Sequence, residues 1–201
     1  MRFVIATHNP HKLAELARIL EPLGITAVTE DDLPEVEETG TTFESNSFLK
    51  ADSACTFTGL PAIADDSGLM VDALDGAPGV YSARFAGETG TYADCNRKLL
   101  ALLADVPPEK RTARFVSVIT CVFPNGDVVT GKGACEGVIT DRVRGEGGFG
   151  YDPLFVVGEK SFAEMTPAEK DAVSHRGHAL TAFAAELRAY LSAQNKGDTI
   201  C

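Results

Sequence analysis

Two adjacent aspartates, Asp65 and Asp66, are followed by Ser67 and Gly68 and preceded by the short apolar run of residues 60–64. This pattern predicts a buried strand that ends in a polar glycine turn. Two neighbouring carboxylates repel each other, so a fold that holds them together usually supplies a cation, a proton or a lysine. The same four residue types are also common in surface turns. The motif alone leaves both interpretations open.

A second group of polar residues, Thr-His-Asn-Pro-His-Lys over residues 7–12, lies where the first predicted strand gives way to a helix over residues 12–23. Asn9 suits the N-cap of that helix and Pro10 its first turn. A helix N-terminus stabilises anions, and Lys12 adds a full positive charge. A capped helix with an exposed lysine explains the same residues, and the glycine spacing of a Walker-type loop is missing from the sequence.

Further carboxylates, Glu35, Glu37 and Glu38, precede the predicted helix that carries Lys50. One of them beside the aspartate pair would complete an oxygen-rich magnesium site, because Mg²⁺ is typically held by one or two carboxylates plus substrate phosphates. Lys50 could offset the negative charge of the aspartates. The alternative is a solvated acidic loop and an ordinary surface lysine.

The segment of residues 146–153 reads Glu-Gly-Gly-Phe-Gly-Tyr-Asp-Pro. Its two aromatic residues offer a stacking face and Asp152 offers a hydrogen-bond acceptor, which together suit a nucleobase. Lys170, His175 and Arg176 supply donors nearby in the sequence. A flexible hairpin loop, followed by a capped last helix, is the competing interpretation.

The elements that must position these residues indicate a mixed sheet in an α/β domain, because early strands alternate with helices and a long hairpin follows. Asn125-Gly126 between two β-branched runs is a strong hairpin signal. The other predicted elements are strands at residues 2–6, 25–28, 60–65, 69–73 and 151–157, and helices at 41–58 with a Thr41–Glu44 capping box, at a site capped by Thr91 and Asp94, and at 174–191.

Composition limits the function. A net charge of −11 over 201 residues argues against duplex DNA as a partner, and the sequence has no apolar run of the roughly 18 residues that span a membrane. The five scattered cysteines suggest reduced thiols and a cytoplasmic protein. We therefore expect neither a nucleic-acid nor a membrane partner.

The motifs together resemble the inosine triphosphate pyrophosphatase family, over residues 2–191. The motifs that match are Thr7-x-Asn9-x-x-Lys12, Glu38-Thr39-Gly40-x-Thr42-Phe43, Asn46-x-x-x-Lys50-Ala51, Ala64-Asp65-Asp66-Ser67-Gly68-Leu69, Gly76-x-Pro78-Gly79-x-Tyr81-Ser82-Ala83-Arg84, Gly147-Gly148-Phe149-Gly150-Tyr151-Asp152-Pro153 and Ser174-His175-Arg176. Ser45 departs from the pattern, since many bacterial members carry glutamate there; it lies outside the metal pair.

The resemblance implies an elongated, two-lobed α/β fold, a mixed sheet flanked by helices with the active-site cleft between the lobes. It implies a single domain over residues 1–192 with a polar tail at 193–201, and pairing as a homodimer. It also implies a Mg²⁺-dependent hydrolase that converts the deaminated purine nucleotides ITP, dITP and XTP to monophosphate and pyrophosphate, which cleanses the nucleotide pool.

Site roles follow from the matching motifs. Glu38 and Asp66 would hold Mg²⁺, and Asp66 would also accept the proton of the attacking water, with Lys12, Lys50 and Asp65 as further catalytic residues. The residues expected to bind substrate are Thr7, His8, Asn9, Pro10, His11 and Lys12 at the triphosphate, Ser67, and Phe149, Gly150, Tyr151, Asp152, Lys170, His175 and Arg176 around the base.

Two alternatives to this function remain at the level of sequence. One is a related pyrophosphatase for modified pyrimidine or methylated nucleotides. The other is a nucleotide-binding sensor that has lost turnover, against which the joint presence of Lys12, Glu38, Lys50, Asp65 and Asp66 argues.

Overall fold

The computed structural model describes residues 1–197 apart from His8, Pro10, His11, Ala14, Glu15, Arg18, Ile19 and Asp31, and side chains as far as Gln194. Three residues expected to bind the triphosphate, His8, Pro10 and His11, therefore lie outside the described residues, as does the end of the predicted tail.

Seven strands form one sheet, and this sheet is mixed, as predicted. They are β1 (Arg2–Ile5), β2 (Thr26–Val28), β3 (Ala62–Val71), β4 (Thr112–Val122), β5 (Val128–Ile139), β6 (Phe155–Val157) and β7 (Lys160–Ser161). Their order is β2-β1-β3-β4-β5-β6-β7. β1 pairs in parallel with β2 and β3, whereas β6 pairs antiparallel with β5 and β7. The predicted hairpin is confirmed: β4 and β5 are neighbours, joined by the turn that contains Gly126.

Four helices that the structure describes without interruption accompany the sheet: α1 (Phe43–Thr58), α2 (Tyr92–Leu102), α3 (Pro167–Val173) and α4 (His175–Gly197). Residues 12, 13, 16, 17 and 20 are also helical, and we call them the first helical segment. A 3₁₀ turn at Glu21–Leu23 continues it to Gly24, whose φ of 70° ends the helix as the sequence predicted. None of the described helices is long and apolar enough to span a bilayer.

The chain divides into two compact units. The first comprises Met1–Asp66, Ser117–Gly133 and His178–Cys201, and the second comprises Ser67–Val116 and Ala134–Gly177. Each unit has its own apolar core.

The first unit has helices on both faces of its strands, and alternate residues of β3 belong to different faces. Ile63 packs in a cluster with Leu16 and Leu20 of the first helical segment and with Phe183 of α4. Ala62 and Ala64 instead pack against Ala51, Ala54 and Cys55 of α1. Odd-numbered residues at this end of β3 therefore face the first helical segment and α4, and even-numbered residues face α1.

The second unit is built around α2. Its residues Cys95 and Leu99 are fully buried against Leu69 of β3, Phe155 of β6 and Phe162. Phe115 of β4 contacts Phe155 edge-on, with ring centroids 4.7 Å apart. This core supports the segment of residues 147–152, which we call the glycine loop. The described cysteines Cys55, Cys95, Cys121 and Cys135 are buried and free.

β3 corrects one prediction. The sequence suggested a strand that ends in a turn at Gly68, but β3 continues through Asp65, Asp66, Ser67 and Gly68 to Val71. Leu69 and Val71 are fully buried, and their burial in the core of the second unit keeps the chain extended despite the glycine.

Three smaller predictions were also wrong. The capping box of α1 is formed by Thr42 and Ser45, one residue after the predicted Thr41–Glu44 pair. Residues 151–154 form a turn, because the N–H groups of Leu154 and Phe155 both donate to the Tyr151 carbonyl, so β6 begins only at Phe155. The last helix begins at His175 close to the predicted start, but α4 runs to Gly197, six residues beyond the predicted end. The short helix α3, which carries Lys170, has no counterpart among the predicted elements.

Candidate active site

The end of β1 and the start of the first helical segment have the predicted capped geometry. The Asn9 side chain accepts a hydrogen bond from the Lys12 N–H at 3.4 Å, and the Asn9 carbonyl accepts from the Leu13 N–H at 3.0 Å. Thr7 Oγ1 accepts from the Asn9 N–H at 3.2 Å. Thr7 and Asn9 therefore fix the turn at which the chain enters the helix, and this turn places Lys12 beside β3.

Lys12 is paired with Asp65. Its ammonium nitrogen lies 2.8 Å from Asp65 Oδ2, and the Asp65 side chain is only 4% exposed. Asp65 has the same parity along β3 as Ile63, which packs against the first helical segment. The ion pair therefore continues the contact between that helical segment and β3.

Asp66 faces α1 instead. Its Oδ2 accepts a hydrogen bond from the Asn46 amide at 3.2 Å, and its Oδ1 lies 3.7 Å from the Lys50 ammonium. The same ammonium lies 2.7 Å from Glu38 Oε1. The structure thus brings together Glu38, Lys50 and Asp66, three residues that the sequence analysis selected.

The protonation of this group is governed by burial and by charge. Burial raises the pKa of Asp66, the Lys50 ammonium opposes the rise, and the neighbouring Glu38 carboxylate adds to it, so that the pKa stays above its ordinary value. Burial alone lowers the pKa of Lys50, but Asp66 and Glu38 outweigh it and the pKa is raised. Lys50 therefore stays charged, while Asp66 is a better proton acceptor than an exposed aspartate.

Asn46 is a site residue that the sequence analysis named only as part of a motif. It is fully buried, its Oδ1 accepts from the Gly40 N–H at 2.8 Å, and its Nδ2 donates to Asp66. It connects the loop that carries Glu38 with the strand that carries Asp66. The sequence did carry one signal for a role of Asn46: it lies four residues before Lys50, and residues at that spacing share a face of a helix.

A divalent metal fits this corner. Lys50 already shows that one cation can touch both Glu38 and Asp66. The donors are carboxylate oxygens, which Mg²⁺ prefers, and Mg²⁺ commonly takes one or two carboxylates with phosphates and water as its other ligands. No cluster of three or more acidic, histidine or cysteine ligands exists in the described part of the chain, which disfavours an all-protein cage there.

In the second unit, Asp152 organises the glycine loop. Its Oδ2 accepts from the Phe149 N–H at 2.8 Å and from the Lys170 ammonium at 2.5 Å. Asp152 is only 3% exposed. Gly148 has a φ of 70°, and a Cβ there would overlap the Asp152 carboxylate, so the loop requires glycine at this position.

The Phe149 ring is surrounded by positive charge and remains 38% exposed. The Lys170 ammonium lies 4.9 Å from its centroid, and the Arg176 guanidinium carbon lies 5.8 Å away. Arg176 also approaches Ser67, with Nη2 3.5 Å from Oγ. An accessible aromatic face among donors can stack on a flat, polar ligand such as a nucleobase.

Tyr151 and His175 are buried supports. Tyr151 is 2% exposed, its hydroxyl donates to the Ser82 carbonyl at 2.8 Å, and burial raises its pKa far above the ordinary range. The His175 ring stacks on Phe115 with centroids 4.7 Å apart. The Gly150 backbone lies between Phe149 and Tyr151. All the residues predicted around the base belong to this one unit.

Comparisons with known proteins agree with the motif resemblance. The model of the Ham1 family matches residues 3–186. A protein of Desulforamulus reducens named dITP/XTP pyrophosphatase is 54% identical over 185 residues, which cover 90% of this chain and 92% of the relative. A Geobacter sulfurreducens protein of the same name is 55% identical, with 89% and 92% covered.

Solved structures give the same result. A HAM1 protein from Coxiella burnetii superposes with a TM-score of 0.87 at 41% identity, covering 96% of this chain and 99% of the other. A nucleoside-triphosphatase named dITP/XTP pyrophosphatase from Mycobacterium abscessus has a TM-score of 0.78 at 49% identity, with 90% and 97% covered. Because the family model matches almost the whole chain and relatives at about half identity span it, the chain belongs to the Ham1 family.

Proposed function

We propose that this protein hydrolyses the non-standard purine nucleoside triphosphates ITP, dITP and XTP to the monophosphate and pyrophosphate, and so keeps deaminated purines out of DNA and RNA. The observation that carries the proposal is the Glu38–Lys50–Asp66 arrangement. It occurs in a chain whose relatives at more than 50% identity bear the name dITP/XTP pyrophosphatase.

Glu38 and Asp66 are the residues that would hold Mg²⁺. An ion bound there would supply positive charge to the phosphate oxygens and would polarise water. Hard oxygen donors and a position already suited to a cation support this assignment. Lys50 contacts both carboxylates and so keeps them close together.

Asp66 accepts the proton of the water that attacks the α-phosphorus. Its raised pKa, caused chiefly by burial, supports this role because a base works best when its pKa lies nearer the working pH. Asp65 holds the Lys12 ammonium in place, and Lys12 neutralises phosphate charge. The other residues that we propose to contact the triphosphate are Thr7, His8, Asn9, Pro10 and His11, which precede the first helical segment in the sequence.

Base selection depends on hydrogen bonds in the second unit. Hypoxanthine and xanthine present a 6-oxo acceptor to the donors of Lys170, His175 or Arg176. Adenine presents a donor at that position, which leaves buried donors without a partner and disfavours binding strongly. Phe149 stacks on the base, and Ser67 contacts the substrate beside Arg176.

We further propose that the enzyme is a homodimer that works in the cytoplasm. The dimer follows from the family resemblance, and sedimentation of the purified chain tests it. The odd number of scattered cysteines favours a reducing compartment.

A substrate panel with product analysis tests the proposal. We expect dITP and XTP to be cleaved far faster than the standard nucleotides, with pyrophosphate released and no orthophosphate. EDTA should abolish the reaction and Mg²⁺ should restore it. Best turnover with thymidine or uridine triphosphate would exclude the purine preference, and tight binding without any hydrolysis would indicate a nucleotide sensor.

A further inference from the structure

A residue of α2 that lies outside every motif selected by the sequence analysis contacts the glycine loop. Asn96 of α2 donates a hydrogen bond from its side-chain amide to the Gly150 carbonyl at 3.1 Å, across 54 residues of sequence. Asn96 is only 9% exposed. Its buried side chain therefore binds the backbone of the glycine loop directly.

The conformation of the loop at Gly150 tolerates few other residues. Its φ of 63° lies in the left-handed region, which other residues rarely adopt. A Cβ built on Gly150 would lie 3.5 Å from the ring of Tyr92, which is one helical turn before Asn96 on α2. Tyr92 and Asn96 therefore both lie beside Gly150, and Asn96 is the one that hydrogen-bonds to its carbonyl. The charges of Arg176 and Asp152 both act on the Tyr92 hydroxyl, so this end of α2 is close to the group that surrounds Phe149.

The orientation of the Gly150 peptide sets the positions of its neighbours. The preceding residue is Phe149, whose N–H is bound to Asp152, and Asp152 in turn holds Lys170. The Asp152 N–H donates back to the Phe149 carbonyl at 3.2 Å, which closes a tight turn around Gly150. A rotation of the Gly150 peptide would therefore move both the Phe149 ring and the Asp152–Lys170 pair.

Packing alone does not account for asparagine at this position. The neighbouring buried residues of α2, Cys95 and Leu99, belong to an apolar core, where an apolar side chain would suit residue 96. Asn96 Oδ1 is also buried and has no hydrogen-bond partner in the described part of the chain. A buried polar atom without a partner is costly, so the amide is explained better by what its Nδ2 does to the loop.

We propose that Asn96 is a positioning residue that sets purine selectivity by fixing the Gly150 peptide of the glycine loop. This inference rests on the proposed function and extends it to α2, a helix to which the sequence analysis gave no role. Asn96 acts through Gly150 on Phe149 and Asp152.

Two substitutions remove the Nδ2 donor in different ways. Asn96→Asp keeps the shape but places an acceptor oxygen where the donor was, and Asn96→Leu keeps the approximate volume without any polar atom. In both variants we expect KM for dITP to rise about fivefold, the value of one neutral hydrogen bond, with kcat within about twofold of wild type. The preference for dITP over dATP should fall by a similar factor.

Hydrogen exchange of the ligand-free variants gives a readout that does not depend on turnover. The N–H groups of Phe149 and Asp152 should exchange faster in both Asn96 variants, because the turn that protects them loses its anchor. Leu99→Ala is the matched control. It removes a fully buried side chain from the same helix, so it should lower the melting temperature but leave loop exchange and the dITP-to-dATP preference unchanged.

The outcomes separate the two levels of the proposal. If the wild-type protein does not hydrolyse dITP, the proposed function is wrong, and the selectivity role of Asn96 is wrong with it. If wild type is active but the Asn96 variants keep its KM, its nucleotide preference or its loop exchange, the proposed function stands and the inference about Asn96 is wrong. A loss of preference in Leu99→Ala as large as in Asn96→Asp would also overturn it, since general destabilisation would then suffice.

Discussion

Asp65 and Asp66 are consecutive in β3, yet each meets a lysine from a different helical segment. Asp65 Oδ2 lies 2.8 Å from Lys12, whereas Asp66 Oδ1 lies 3.7 Å from Lys50. Side chains alternate between the two faces of a strand, so the two carboxylates point to opposite sides of the sheet. Only Asp66 shares its lysine with Glu38. The two aspartates are therefore unequal, and Asp66 belongs to the proposed metal-binding corner.

Asp66→Asn should abolish turnover and leave the fold nearly intact. The substitution removes both a metal ligand and a proton acceptor without a change of shape, and loss of a general base typically costs about 10²–10⁴-fold in rate. Pyrophosphate release from dITP and thermal unfolding measure the two effects. Asp52→Asn, on the exposed surface of α1, is the matched control and should behave as wild type. Wild-type rates in Asp66→Asn would reduce the carboxylate to a structural role.

Phe149→Ala should weaken substrate binding more than it slows the bound complex. Its exposed ring face lies among Lys170 and Arg176, and stacking of an aromatic ring on a base is worth about 1–3 kcal/mol, so we expect KM for dITP to rise roughly tenfold. Steady-state kinetics separate KM from kcat. Phe57→Ala removes another exposed phenylalanine, on α1, and should change neither. An unchanged KM in Phe149→Ala would exclude the stacking role.

Signals confined to a few residues predicted local structure well. Asn125-Gly126 marks the turn between β4 and β5, and the Thr91–Asp94 capping box starts α2 as expected. β3 was predicted less well, because Gly68 is typical of a turn. The burial of Leu69 in the core of the second unit overrides that preference, and this burial depends on contacts that are distant in sequence.

In the candidate site, too, residues in sequence motifs were predicted, whereas single residues with distant partners were not. Glu38, Lys50 and Asp66 were predicted together because charged residues in an ordered set of motifs are visible in the sequence, and the structure brings them together. Asn46 and Asn96 received no role. Each is a single amide on a helix whose partner lies 20 or 54 residues away, so the neighbouring sequence does not identify that partner.

Ser45→Ala should lower the free energy of unfolding by about 0.5–1 kcal/mol. Ser45 is the N3 residue of the α1 capping box, and its Oγ accepts from the Thr42 N–H at 3.2 Å. Ser45→Glu should retain most of that stability, because glutamate at N3 makes the same reciprocal bond and favours the positive end of the helix. Urea unfolding of the three proteins measures the difference. Equal stability of Ser45→Ala and wild type would mean that the Thr42 side chain alone caps the helix.

Asn46→Asp should lower turnover by at least about tenfold while Gly40 stays anchored. An aspartate can still accept from the Gly40 N–H, but it cannot donate to Asp66, and a hydrogen bond to a charged group is worth about 1.5–3 kcal/mol. The added negative charge also favours protonation of one of the two carboxylates. Asn46→Ala loses both bonds and should in addition lower the melting temperature. Pyrophosphate release over a Mg²⁺ series, with thermal unfolding, separates the variants. Wild-type turnover by Asn46→Asp at every Mg²⁺ concentration would show that Asp66 does not need the Asn46 donor.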